Sequence, residues 1–200
     1  MKLYITPMSP YARLARIVVI EKALNDRVDI VQAKTRSVGS PYYQINPSGR
    51  VPYLVTDAGI GMEDSQLICA YLDSLDGRPQ FHHQSHDSDW AYRRLEASAR
   101  SMCDGISVWT REMQRPETER SPTVLAHEAA RMQRMADFFE TQVVEPPLQE
   151  PLGMAQLILT VALEAAQKRG PGSLTDGRPR LATWLRRMFE LPSVRATALP

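Results

Sequence analysis

Two cysteines in a chain of 200 residues, Cys69 and Cys103, are too few for a disulfide framework. Neither belongs to a C-x-x-C pair or has metal-ligand spacing, so both read as buried, reduced thiols of a cytoplasmic protein. An excess of charge of either sign is also missing. Lys plus Arg number 24 against 23 Asp plus Glu, a net charge of +1. That balance excludes the broad basic surplus of a nucleic-acid-binding protein or a polybasic membrane-surface protein. No apolar run approaches the ~18 residues of a membrane span. The opening MKLYITP has no apolar core of a signal peptide. These absences predict a cytoplasmic protein with no nucleic-acid or membrane partner. What is present is ordinary for a globular protein: 43% hydrophobic and 24% charged residues. The length suits one large domain or two small ones, with enough buried surface to need no covalent or metal staple.

The first part of the chain mixes strand and helix signals. Lys2–Thr6 alternates and is rich in β-formers, and Pro7 ends it. Pro10 then opens a helix over Tyr11–Leu24, with Leu14, Ile17, Val18 and Leu24 at helical spacing. Val28–Val31 reads as a second strand. A turn-rich stretch runs through Gly39, Ser40 and Pro41 to Asn46-Pro47-Ser48-Gly49. Tyr53–Thr56 and Ile60–Met62 read as short strands around the turn Asp57-Ala58-Gly59, and Ser65–Leu75 as a helix. This β-α-β, then β-β-α order predicts a thioredoxin-like α/β domain over residues 1–76.

Residues 77–89 read as a polar linker, and residues 90–200 as an all-helical domain. Its helices are expected at Trp90–Met113, Val124–Val143, Met154–Ala166 and Leu181–Leu191, with Pro192 stopping the last. Met154–Ala166 is apolar almost all round, which marks a buried central helix. His82, His83 and His86 fall in the linker and read as solvated side chains, so no metal site is expected.

Three segments of the first domain carry chemistry. In Ser9-Pro10-Tyr11, Ser suits an N-cap and Pro the first helical position. The same hydroxyl, at a helix N-terminus, suits donation to a thiolate. In Asn46-Pro47-Ser48-Gly49-Arg50-Val51-Pro52, a plain turn competes with a cis Val51–Pro52 bond. The cis form would turn the Val51 N–H and C=O outward to hold an extended peptide as an added strand. In Glu63-Asp64-Ser65, helix capping competes with anion binding by the Ser65 N–H and hydroxyl, while the Asp64 carboxylate faces an ammonium group. A ligand with a carboxylate beside an amine, an amide backbone and a thiol satisfies all three.

The runs LYITPMSPYARLARIVV, NPSGRVPYLV and MEDSQLICAYL, in this order and at these separations, resemble the N-terminal domain of the glutathione S-transferases, in particular bacterial members with a serine S-P-[FY] motif. The helical second part and the closing LPSVRAT also fit. The resemblance implies a glutathione transferase that activates the thiol as a thiolate for attack on a small hydrophobic electrophile. It implies glutathione as co-substrate, with Ser9 stabilising the thiolate and Val51 and Pro52 on the cysteinyl backbone. Asp64 and Ser65 would hold the γ-glutamyl end, and Arg50 would lie near the glycyl carboxylate. It also implies a homodimer. Met102, Ile106 and Trp109, with Met113, are the residues for an electrophile pocket, against a plain core role. Tyr4 and Thr6 are rival thiolate donors, and Arg13 reads as structural. A non-catalytic glutathione-binding scaffold, or an isomerase or lyase using the same thiolate, is the alternative.

Two departures from the family pattern bear on these expectations. No cysteine stands at position 6 or 9, which excludes cysteine-based thiol–disulfide exchange there. Gly153-Met154-Ala155-Gln156 lacks a Ser/Thr-x-x-Asp capping box, leaving Gln156 as a partial substitute.

Overall fold

A computed structural model describes residues 1–81, 90–149 and 151–200. The chain divides into two compact units. One is built from the described residues up to Phe81 together with Pro192–Pro200, and the other from Trp90 to Leu191. The segment Pro192–Pro200, assigned by sequence to the helical part, therefore belongs to the first unit.

The first unit is a thioredoxin-like α/β layer. Strands β1 (Lys2–Ile5), β2 (Asp29–Gln32), β3 (Tyr53–Val55) and β4 (Gly61–Met62) form one sheet in the order β2-β1-β3-β4. β1 and β2 pair in parallel, so helix α1 (Pro10–Glu21) must carry the chain back between them. β3 runs antiparallel to β1, with Leu3 opposite Leu54. Both are fully buried. Helix α1 buries Leu14, Ile17 and Val18, and α3 (Ser65–Ser74) buries Ile68, Cys69 and Leu72. Truncating any one of the leucines or isoleucines among these to alanine is expected to cost about 2–5 kcal/mol. A short helix α2 (Tyr42–Ile45) lies in the stretch that reads as turns. Its single turn is too brief for a helical period to show.

The second unit is all helical: α4 (Trp90–Met113), α5 (Pro122–Gln142), α6 (Met154–Arg169) and α7 (Pro179–Phe189). As its pattern predicts, α6 is central, with every residue from Met154 to Ala166 buried. Its start is held without a local hydroxyl. Gln156 Oε1 accepts from Gly153 N at 2.7 Å, and Tyr92 Oη, arriving from α4, accepts from Ala155 N at 3.2 Å. The substitute expected of Gln156 is thus half of the cap, and Tyr92 is the other half.

Pro192 does not end the helical structure. It opens α8 (Pro192–Ala196), because the fixed φ that stops one helix equally suits the first position of the next. Arg13 holds this terminal segment, donating from Nη2 to Val194 O at 3.1 Å and from Nε to Thr197 Oγ1 at 3.4 Å. Arg13 is only 1% exposed, and burial, with help from the charge on Arg16, brings its pKa down to about 10. Its role is structural, as expected. No helix among the described residues is long and apolar enough to cross a membrane.

Candidate functional site

Strand register brings the three chemistry-bearing segments to one end of the sheet. β1 and β3 pair Tyr4 with Tyr53, so continuing the register sets Thr6 level with Val51. β3 and β4 pair Leu54 with Met62, and the same continuation sets Asp64 level with Pro52. Both α1 and α3 begin from this end.

Ser9 sits where β1 hands over to α1. Its backbone is extended (φ −81°, ψ 118°), and its N–H donates to Thr6 O at 3.1 Å. Oγ accepts from Ala12 N at 3.2 Å, so Ser9 is the N-cap. A hydroxyl that accepts in this way still carries its own proton for donation elsewhere. No acidic residue stands in the first turn of α1, so the positive end of that helix dipole is uncompensated there.

The turn before β3 is tightly ordered. Ser48 N donates to Asn46 Oδ1 at 3.1 Å, and Gly49 N to Asn46 O at 3.0 Å. Gly49 has φ +67°, and a Cβ there would stand 2.7 Å from the ring of Tyr43. Glycine is therefore required twice over. Tyr42 Oη and Asn46 Nδ2 both donate to Arg50 O, at 2.5 and 3.0 Å. Burial, assisted by the charge of Glu63, holds the Tyr42 phenol above its ordinary pKa, and the Asn46 bond opposes that shift. Val51–Pro52 is cis, as the peptide-binding reading required. Among the described residues, the Val51 N–H and C=O make no hydrogen bond. The Arg50 side chain is exposed.

At the start of α3, Asp64 is the N-cap. Oδ1 accepts from Gln66 N at 2.8 Å and Leu67 N at 3.2 Å. Among the described residues its other oxygen has no hydrogen bond, so one carboxylate can cap a helix and still meet a cation. Ser65 is the first helical residue and is 5% exposed. The Glu63–Asp64 bond is also cis.

Two residues missed by sequence reasoning lie here. Glu63 reads in sequence only as an acidic residue at a helix start, where Asp64 or Ser65 is the expected N-cap. Its Oε2 accepts from Asn46 Nδ2 at 3.2 Å and Ser48 Oγ at 2.5 Å. Lys34 follows β2 with no motif around it, and with Thr6, Gln32, Ala33 and Thr35 it lines an open cavity of about 560 Å³.

The rival donors Tyr4 and Thr6 are both half-buried at the same end of β1, and the Tyr4 ring lies 5.6 Å from that of Tyr42. Met102 and Ile106 have 0% and 1% exposure on α4, whereas Trp109 is half-buried; of the three, Trp109 presents the surface. Cys69 and Cys103 are buried and unlinked. No cluster suited to a metal ion occurs among the described residues, and His82, His83 and His86 lie outside them.

Residues 3–80 match the family model "Glutathione S-transferase, N-terminal domain". Over its whole length the chain is 27% identical to the uncharacterised GST-like protein YibF of Escherichia coli K12, covering 99% of that relative. Among solved structures, the chain is similar to a glutathione S-transferase from Methylobacillus flagellatus KT with glutathione bound. Identity is 26% and the TM-score 0.88, over 100% of this chain and 99% of that one. It is also similar to a glutathione transferase family member from Pseudomonas fluorescens Pf-5 with bound S-(propanoic acid)-glutathione. There the identity is 25% and the TM-score 0.87, covering 100% of both chains.

Proposed function

We propose that this protein is a glutathione transferase, which binds glutathione at the sheet end described above and activates its thiol. The observation that carries this reading is the register that gathers Ser9, the unpaired peptide groups of Val51, and Asp64 with Ser65 at one end of the sheet. The cysteinyl backbone adds to Val51 ahead of Pro52, as one more strand would. The γ-glutamyl carboxylate meets the Ser65 N–H and hydroxyl at the α3 N-terminus, and its ammonium meets Asp64. Arg50, exposed next to Val51, takes the glycyl carboxylate. Two solved relatives bind glutathione or an S-substituted glutathione, the latter with the sulfur already carrying a carbon substituent.

Ser9 donates its proton in a hydrogen bond to the sulfur. A free thiol with a pKa near 8.5 is only a few per cent ionised at neutral pH. Lowering that pKa by about two units takes roughly 2.7 kcal/mol of preference for the thiolate. A charge-assisted hydrogen bond contributes about 1.5–3 kcal/mol. The α1 N-terminus adds about 0.3–1 kcal/mol. The two together reach the required amount. The sulfur then attacks an electrophilic carbon, forming a C–S bond, and the displaced electron pair leaves with the departing group or settles on the electrophile's acceptor. The electrophile is small and hydrophobic. The chain works as a homodimer, and two unlinked buried cysteines suit the reducing cytoplasm.

Isothermal titration with glutathione, followed by mass analysis of products from a panel of hydrophobic electrophiles, tests the reading. Saturable binding and a product heavier by the glutathionyl group are expected. Binding without turnover would instead make the protein a scaffold. Conversion of the electrophile with glutathione returned unchanged would make it an isomerase or lyase. Light scattering at the mass of one chain would remove the homodimer.

A further inference from the structure

We infer that Glu63 is a positioning residue that holds the two halves of the glutathione site at a fixed spacing, an inference that rests on the function proposed above. The backbone pairing that could do this runs out too early. β3 and β4 pair only at Leu54–Met62 and Val55–Gly61, so the ladder stops one residue short of Glu63. Beyond that point, among the described residues, side chains make the connection. Glu63 Oε2 accepts from Asn46 Nδ2 and from Ser48 Oγ, both in the turn that leads into Val51. Those two side chains in turn hold the peptide groups of Arg50. Asn46 Nδ2 donates to its carbonyl at 3.0 Å, and its N–H donates to Ser48 Oγ at 3.2 Å. Arg50 directly precedes Val51, and Glu63 directly precedes Asp64. One carboxylate therefore links the segment proposed to take the cysteinyl backbone to the segment proposed to take the γ-glutamyl end. A ligand that must engage both gains affinity when their spacing is set before it arrives.

Electrostatics and positioning predict opposite signs here, which makes the role testable. Glutathione carries two carboxylates and one ammonium, and its thiolate adds a third negative charge. A carboxylate acting only through its charge at this site would repel it. Removing Glu63 would then tighten binding, whereas removing a positioning link weakens it. The charge and the link are separable, because a glutamine retains a carbonyl oxygen to accept both hydrogen bonds.

The experiment is isothermal titration of glutathione into the full chain and into Glu63→Ala, Glu63→Gln and Ser48→Ala, with the thiol pKa of bound glutathione read by thiolate absorbance. Glu63→Ala is expected to raise the Kd about tenfold, Ser48→Ala about threefold, and Glu63→Gln less than twofold. The bound thiol pKa should stay put in all three, because the network does not include Ser9. Ser48→Ala is a surface change in a turn, so it reports on the link even if Glu63→Ala folds poorly. Binding by Glu63→Ala equal to or tighter than that of the native chain would overturn the role. So would a loss in Glu63→Gln as large as in Glu63→Ala. A native chain that binds no glutathione would overturn the proposed function and this role with it. A native chain that binds, with the variants unchanged, would overturn this role alone.

Discussion

In the first unit, helices α1 and α3 are capped by the residue that immediately precedes each. Ser9 takes the Ala12 N–H, and Asp64 takes those of Gln66 and Leu67. In the second unit, α5 follows the same habit through Ser121, but half of the α6 cap and the α7 cap come from far away in the chain. Tyr92 reaches Ala155 across 63 positions. Glu140 takes the N–H groups of Arg180 and Leu181 from 40 and 41 positions away. A short local cap satisfies one or two N–H groups and leaves a hydroxyl proton or a second carboxylate oxygen for something else. A cap delivered by another helix spends the N-terminus on joining two helices. By that criterion α1 and α3 have helix starts fit for a ligand, and α6 and α7 have helix starts that hold their unit together.

Swapping one kind of cap for the other breaks the comparison most sharply at Gly153. Its backbone is extended (φ −139°), so a side chain is conformationally allowed. The obstacle is the Tyr92 hydroxyl, which a Cβ would meet at 2.2 Å. Gly153→Ser is expected to cost about 2–3 kcal/mol through overpacking. That is a fall of several degrees in Tm for a chain of this size. Adding Tyr92→Phe should recover most of it, because the serine then caps α6 locally in the space the hydroxyl leaves. A thermal-melt double-mutant cycle reads this directly. Losses that simply add would mean the distant cap does not occupy the local cap's place.

The second comparison lies within Asp64. Asp64→Ala removes an acceptor for two N–H groups and should cost about 1–2 kcal/mol of stability. Asp64→Asn keeps an acceptor and should cost only a few tenths of a kcal/mol. Both should weaken glutathione at least tenfold, because both remove the charge proposed to face the ammonium. Urea unfolding and calorimetric titration of the two variants separate the cap from the ligand contact. Unchanged glutathione affinity in Asp64→Asn would leave Asp64 a cap and nothing more.

The smallest effect expected is a pH dependence in the second unit. Burial pushes the Tyr92 phenol up to about 12, with its hydrogen bond from the Ala155 N–H opposing only part of the shift. An acid whose folded pKa is raised stabilises the fold fully below its unfolded value near 10. That contribution fades as pH rises from about 10 through about 12. Alkaline melts should show this loss in the native chain, and Tyr92→Phe should lack that share of it. Phenolate absorbance that titrates Tyr92 at its unfolded value near 10 would contradict it.

The contrast in capping also explains what could be read from the sequence. Ser9 and Asp64 do their structural work within three residues of themselves, and Val51 directly precedes Pro52, so short motifs expose them. The strands, α1, α3 and the buried α6 carry their own hydrophobic periods and are equally legible. Tyr92 and Glu140 are legible only once helices are packed, since nothing local marks a tyrosine as the cap of a helix 63 positions on. The same holds for Arg13, which grips Val194 and Thr197 at the other end of the chain and draws α8 into the first unit. Glu63 was hidden for a different reason. Next to Asp64 it looks like one more acid at a helix start, and only the folded turn shows that its partners are Asn46 and Ser48. Met102 and Ile106 fit a pocket face and a core face equally well by helical spacing, and the structure buries both.

The central claim is that Ser9 is both the cap of α1 and the donor that makes glutathione a thiolate. The direct test is thiolate ultraviolet absorbance of bound glutathione against pH, for the native chain and for Ser9→Ala, with Tyr4→Phe and Thr6→Val beside them. A bound thiol pKa about two units below that of free glutathione is predicted, restored to near the free value by Ser9→Ala alone. A lowered pKa that survives Ser9→Ala and disappears in Tyr4→Phe or Thr6→Val would contradict the claim and leave Ser9 only its cap.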